Sequence, residues 1–209
     1  MIRSRPLRSG LAALTALGLL TGCITLLPKS KPAQLYRFGA EPVADAAGRP
    51  SAPPAFTVRT GPIKFDQAAE GVNILTVDGR QTAYIAHARW ITPASDMFAE
   101  ALARRFAAQP AGARLMSRGE TQAADYVLRL DVSRFEARYL SGTQQAPTAV
   151  VEVRAVLSKG DTPGVTLQKT FHAELAASDN RVGPITTAID GAVGKVLGEL
   201  VAWVGGRGA

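Results

Sequence analysis

Two histidines, His87 and His172, and one cysteine, Cys23, are the side chains of this 209-residue sequence best suited to nucleophilic, proton-transfer or metal chemistry. Hydrolysis by a triad requires a nucleophile, a base and a group that orients the base. No Gly-x-Ser-x-Gly turn accompanies either histidine, and each falls on the polar side of an alternating run, His172 beside Thr170 and Glu174 and His87 beside Arg89. Both read as solvated strand residues. A zinc site needs three or four clustered ligands, which two distant histidines and one cysteine do not supply. Asp125 and Asp131 share neither parity nor face with Glu136, so these carboxylates read as charges on a solvated sheet face rather than as an acid/base pair. Gly191-Ala192-Val193-Gly194-Lys195 imitates a phosphate-binding loop, but its first glycine stands too close and Val196 replaces the hydroxyl that would hold magnesium. That stretch reads as helix. Trp90 is expected to pack under the helix that follows it, with an exposed partner-binding anchor as the alternative, and Trp203 carries the same two readings.

Position gives Cys23 a different chemistry. Arg3, Arg5 and Arg8 precede an uncharged, mostly apolar run from Leu11 to Leu20 and the small residues Thr21 and Gly22, which is the layout of a signal peptide. The run is far shorter than the about 20 residues a bilayer span requires, so it reads as a cleaved apolar region. An ordinary secretory site ends in small residues of the Ala-x-Ala type, whereas here Leu20-Thr21-Gly22 is followed at once by cysteine. These four residues resemble a lipobox. In lipoproteins with that pattern the thiol is alkylated with diacylglycerol, the chain is cut before the cysteine, and the new amino group is acylated. Two or more acyl chains give stable anchoring. The expected organisation is a signal peptide over 1–22, a lipidated tether over 23–33 and a single domain over 34–209, held at a membrane outside the cytoplasm. With no second cysteine there is no intrachain disulfide, and the core holds the fold unaided.

The formal charge of +7 falls to +4 once Arg3, Arg5 and Arg8 leave with the leader. Basic residues are dispersed among acidic ones, without the aromatic interleaving of a nucleic-acid surface. No nucleic-acid partner is expected, and a mildly basic surface favours anionic lipid head groups.

The elements that must position these residues follow from periodicity. Gln34 to Phe38 reads as a strand, Glu41 to Pro54 as a loop, and Phe56 to Phe65 as a strand whose end is bent by Pro62. Val72 to Val77 and Thr82 to Trp90 flank Asp78-Gly79, a type I′ hairpin signal. Thr92 is placed as N-cap and Pro93 as the first residue of a helix to about Ala108, with Phe98, Ala101, Leu102, Arg105 and Phe106 on one stripe. Arg114 to Ser117 follows as a short strand. In the long strand from Asp125 to Tyr139 the apolar parity switches from Leu128, Leu130 and Val132 to Phe135 and Ala137, which predicts a β-bulge at Ser133-Arg134. Ala149 to Leu157 and Val165 to Leu175 continue as an antiparallel meander around the Lys159 to Gly164 turn. Pro184 to Val204 is an amphipathic helix whose polar face carries Asp190, Lys195 and Glu199, and Gly205 to Ala209 is expected to fray. The fold class is α+β: a mostly antiparallel sheet with two helices packed on one face.

The order of Tyr36-Arg37-Phe38, Arg89-Trp90, Pro93, Met97, Glu100-Ala101-Leu102, Phe106, Ala124-Asp125-Tyr126-Val127-Leu128, Phe135-Glu136-Ala137 and Leu200-Val201-Ala202-Trp203-Val204 behind a lipobox resembles the PqiC-like, ABC-type transport auxiliary lipoprotein family. The resemblance implies an accessory part rather than an enzyme, serving a system with MCE-domain proteins and ABC transporter components that moves phospholipid or other hydrophobic molecules between inner and outer membranes. It implies no cofactor beyond the covalent diacylglycerol and N-acyl lipid on Cys23, no metal and no catalytic residue. It also implies a periplasm-facing place on the outer membrane, in keeping with Ile24 rather than Asp after the cysteine, and a possible homo-oligomer. A different class, a stand-alone envelope lipoprotein for a small hydrophobic ligand, predicts a closed apolar pocket between sheet and helices. A hydrolase requires a histidine near a serine and a carboxylate.

Overall fold

The computed structural model describes residues 32–40, 54–108, 112–160 and 166–206. The chain divides into Met1–Pro32 and Ala33–Ala209, and every element below belongs to the second unit. The signal peptide, Cys23, most of the tether and most of the Glu41 to Pro54 loop lie outside the described residues, as do much of the turn before Gly164 and the last three residues.

Among the described residues, nine strands and two helices follow in the order β1 (Gln34–Tyr36), β2 (Phe56–Thr60), β3 (Lys64–Phe65), β4 (Asn73–Asp78), β5 (Gln81–Trp90), α1 (Ala94–Ala108), β6 (Ala113–Leu115), β7 (Tyr126–Tyr139), β8 (Thr148–Lys159), β9 (Thr166–Ala176) and α2 (Val182–Gly205). This is the α+β class that the alternation predicts. β7 is the spine. One edge pairs antiparallel with β8 along almost its whole length, and β8 pairs likewise with β9, so the meander forms as expected. The other edge of β7 is shared by three short parallel strands in succession: β2 at Tyr126–Leu128, β3 at Asp131–Val132 and β4 at Ala137–Tyr139. The sheet therefore forks, with β6 extending it beyond β2 and β5 then β1 extending it beyond β4.

The fork has local causes. The expected strand from Phe56 to Phe65 is broken at Gly61-Pro62, because proline has no N–H to give to the ladder; Gly61 N–H still reaches the Leu128 carbonyl at 3.2 Å before the chain swings away. On β7 the register shifts between Val132 and Arg134, making Ser133 the extra residue. Val132, Phe135 and Ala137 are all buried as a result, and the bulge stands where the parity switch predicts it.

The hairpin differs by one residue from expectation. Asp78 pairs with Gln81, so Gly79 and Arg80 are the two turn residues. Only Gly79 has positive φ, at +55°, which fits a type II′ turn led by glycine rather than the expected type I′ turn. Further along β5 the register jumps, with Leu75 opposite Tyr84 but Asn73 opposite Arg89. The extra residues include His87 at φ +56°, a left-handed conformation that histidine tolerates better than most. A simple alternation through Tyr84 to Trp90 is thereby interrupted, although His87 is exposed and Trp90 buried.

Helix α1 starts at Ala94 rather than Pro93, and Thr92 is not its cap. The Ala94 and Ser95 N–H groups are met instead by the Gly71 and Glu70 carbonyls, at 2.9 and 3.2 Å, so the loop before β4 satisfies the helix end. Its buried stripe contains Met97, Phe98, Ala101, Leu102 and Phe106. Helix α2 buries Ile185, Ile189, Ala192, Val193, Val196, Leu197, Leu200, Val201 and Val204 against the sheet. Burying one such aliphatic side chain contributes about 1.5–3 kcal/mol, so this seam dominates the packing. No described helix is long and apolar enough to cross a membrane.

The β6 corner is closed by charge. Arg114 Nη1 and Nη2 donate to the two Glu120 oxygens, each at 2.9 Å, and Ser117 N–H donates to Glu120 Oε1 at 2.7 Å. The Arg114 hydrogen bonds, then the Ser117 amide, hold the Glu120 carboxyl at about 2, below its ordinary 4.5. A carboxyl lowered on folding stabilises the folded chain above its unfolded pKa and loses that contribution as pH falls through its folded value. Titration of Glu120 by carboxyl NMR is expected to show a midpoint at about 2; Glu120→Gln removes this share of the acid lability, and a midpoint near 4.5 contradicts the pairing.

Candidate functional site

Cys23, the one residue to which the sequence assigns chemistry, lies outside the described residues. What the structure does resolve is the corner where the chain enters the domain. After β1, Phe38 is buried and Gly39 turns the backbone with φ +65°. Asp190 Oδ1 on α2 accepts the Gly39 N–H at 2.5 Å, and Arg104 Nε on α1 donates to the Gly39 carbonyl at 2.8 Å. Arg105 Nη2 then donates to the Gly194 carbonyl at 3.1 Å, tying α1 to α2. Entering chain and both helices form one clasp, around a cleft of about 220 Å³ open to solvent.

Asp190 was expected on the polar face of α2, but it is partly buried and turned to Gly39. The glycine itself carries no periodic or motif signal, so the clasp is not visible in the sequence. Its geometry requires glycine: a Cβ at position 39 would overlap the Ala101 methyl and lie 3.5 Å from the Ala101 Cα. Gly39→Ala combines left-handed strain of about 1–2 kcal/mol with overpacking of about 1–3 kcal/mol. Urea unfolding is expected to register a loss of about 2–5 kcal/mol; an unchanged midpoint contradicts the close approach.

Trp90 packs in the core as expected, with its ring edge-on to Phe38 at 5.2 Å and near Phe135 at 6.3 Å. Phe65 extends the cluster to Phe135 at 5.3 Å and to Phe98 of α1 at 5.9 Å. Trp203 is half-buried, edge-on to Phe171 at 5.7 Å. Gly191 to Lys195 is helical, as the sequence indicates.

The polar sheet face brings together residue types that a hydrolase uses, in an order that does not activate a nucleophile. Ser133 Oγ donates to Glu152 Oε1 at 2.8 Å, and His172 faces Glu152 Oε2 at 3.5 Å through Nδ1 and Glu174 Oε1 at 3.1 Å through Nε2. The carboxylate stands between serine and imidazole, whereas nucleophile activation needs the imidazole in the middle. His87 lies four strand spacings away on β5, about 19 Å across the sheet. Asp131 pairs with Arg154 at 2.9 Å, and Asp125 accepts the Thr57 N–H and hydroxyl at 2.7 and 2.8 Å. Those bonds from Thr57 hold the Asp125 carboxyl below its ordinary value. Glu136 departs from the solvated-face expectation: it is 7 % exposed and ion-paired with Arg138. Among the described residues no three His, Cys, Asp or Glu side chains converge as metal ligands.

A second cleft, of about 590 Å³, lies between Gln34 and Tyr36 of β1 and Asn180 to Pro184 at the start of α2. It too opens to solvent. Neither cleft is the closed apolar chamber that a hydrophobic-ligand carrier requires, and side chains such as Phe171, Leu157, Leu197 and Leu200 fill the space between sheet and α2.

Residues 36–201, from β1 to the last turns of α2, match the model of the ABC-type transport auxiliary lipoprotein component. The chain belongs to that family. The auxiliary lipoprotein has a fold also seen in protein XCC0632 from Xanthomonas campestris, with 22% identity and a TM-score of 0.68 over 83% of this chain and 97% of that one. An uncharacterized protein of known structure superposes with a TM-score of 0.63 at 12% identity, covering 86% and 100% of the two chains. The hypothetical protein CT253 from Chlamydia trachomatis does so at 0.51 and 12%, covering 74% and 98%. At these identities the likeness establishes the fold alone. No curated protein matches the chain. Family membership makes this a lipoprotein component associated with ABC-type transport, at the cell envelope, and the match begins thirteen residues beyond Cys23, at Tyr36.

Proposed function

We propose that this auxiliary lipoprotein is the periplasm-facing accessory subunit of an MCE/ABC-type transport system that moves phospholipid or other hydrophobic molecules between the inner and outer membranes, and that it supports envelope integrity. Residues 1–22 are removed as a signal peptide, Cys23 carries diacylglycerol and an N-acyl chain, and residues 23–33 tether the domain to the periplasmic face of the outer membrane. The observation that carries this reading is the family match over residues 36–201, which begins thirteen residues beyond Leu20-Thr21-Gly22-Cys23. The side chains that fill the space between sheet and α2 accord with a docking part rather than with a carrier that encloses its ligand. Assembly with further copies of itself belongs to the same proposal.

Affinity purification of the lipidated protein from detergent-solubilised membranes is expected to recover an MCE-domain protein together with the permease and ATPase. Deletion of the gene is expected to lower detergent resistance and outer-membrane lipid asymmetry. Recovery of none of these partners, with both envelope properties unchanged, contradicts the proposal.

A further inference from the structure

The outer surface of the entry corner presents aliphatic and cationic side chains side by side. Tyr36 and Phe38 pack against or within the core, which leaves Leu35 and Arg37 on the opposite face of β1. On β5, Ala88 and Trp90 are buried, so Arg89 and the following Ile91 point outward. The parallel register places Leu35 beside Arg89, and the bond from Ile91 N–H to the Tyr36 carbonyl, at 2.8 Å, carries the same pairing on to Arg37 and Ile91. Leu35 is 62% and Ile91 56% exposed. Neither Arg37 nor Arg89 has a carboxylate partner among the described residues, a state they share with Arg118 and Arg134.

The surrounding sequence has the same sign. From Cys23 to Ala40 the chain contains Lys29, Lys31 and Arg37 and no Asp or Glu. Leu35 stands twelve residues beyond Cys23, a span of at most about 40 Å even when fully extended. Any membrane that holds Cys23 is therefore within reach of this face. Protein interfaces are enriched in aromatic side chains as well as arginine, while these four residues include no aromatic ring. A twofold contact with a second copy would set these arginines near their own counterparts, which like-charge repulsion disfavours. Guanidinium groups bind phosphate oxygens, and neighbouring aliphatic side chains enter the boundary between head groups and acyl chains.

We propose that Leu35, Arg37, Arg89 and Ile91 dock on the surface of an anionic phospholipid bilayer, fixing the β1–β5 corner of the domain against the membrane that holds Cys23. The proposal rests on lipidation of Cys23, which supplies attachment; the patch supplies orientation.

The test uses the lipidated full chain in vesicles of phosphatidylethanolamine and phosphatidylglycerol. With the Cys23 thiol consumed by lipid, Leu35→Cys, Ile91→Cys and the control Gln168→Cys on exposed β9 each offer one site for a nitroxide label. Labels at positions 35 and 91 are expected to relax faster with oxygen than with a water-soluble nickel chelate, and the label at 168 the reverse. Arg37→Glu with Arg89→Glu, or vesicles of phosphatidylcholine alone, should shift the first two labels toward the aqueous signature. Each arginine lost is expected to lower the docked-to-free ratio about fivefold. Vesicle-bound protein with all three labels equally aqueous overturns the docking surface while leaving the anchor intact. Failure to float with vesicles overturns the anchor itself, and the docking proposal with it. Shielding of labels 35 and 91 from both reagents, in micelles as well as vesicles, assigns the patch to a protein contact and overturns the bilayer as its occupant.

Discussion

Replacing Cys23 with serine is expected to abolish attachment at the outer membrane and leave a longer precursor with its leader still joined. The hydroxyl lacks the thiol's nucleophilicity and is not alkylated, and in lipoproteins of this pattern the cut before position 23 follows alkylation. Each buried methylene contributes about 0.8 kcal/mol, and one myristoyl chain alone holds a protein only marginally, so the loss of all acyl chains cannot be made good by a docking patch. Fractionation followed by immunoblotting is the measurement. The variant should disappear from the outer-membrane fraction and migrate above the native protein; a mature-sized variant still in that fraction would refute the role of the thiol.

The largest effect on stability is expected at Trp90. It is 2 % exposed and packs against both Phe38 from the entering chain and Phe135 from the spine of the sheet. Truncating a buried large aromatic costs about 3–5 kcal/mol, through lost transfer energy and the cavity left behind. Against a total of about 5–15 kcal/mol for a typical domain, that is at least about a fifth of the stability. Trp90→Ala should therefore lower the urea midpoint far more than Trp203→Ala, whose ring is only half-buried against Phe171. Equal losses at the two positions would contradict the central place given to the five-ring cluster.

Periodicity made the long elements legible. The parity switch from Val132 to Phe135 located the bulge, because on a two-sided strand only an extra residue returns both apolar sets to one face. The stripes of α1 and α2 were readable for the same reason, since burial of one face depends on spacing within the element. What spacing does not encode is which distant backbone group meets an element's end. Thr92 has the chemistry of an N-cap, yet the loop before β4 supplies two carbonyls through Glu70 and Gly71, a long-range solution invisible to local reading. Asp190 looked like a surface charge on α2, but its partner is the amide of Gly39, separated by most of the chain. The fork along β7 is of this kind too: short segments compete for one edge, and Pro62 reports only that one of them must stop. On the functional side the order of motifs indicated the family, and the family match over residues 36–201 agrees. The proposed docking corner was not legible, because Leu35 and Arg89 become neighbours only through the parallel pairing of β1 with β5.

Mass spectrometry of the mature protein's N-terminal peptide tests the account most directly. The account predicts a first residue of Cys23 bearing both a diacylglyceryl thioether and an amide-linked acyl chain, with residues 1–22 gone. A free thiol at Cys23, or a peptide that begins anywhere else, would contradict it.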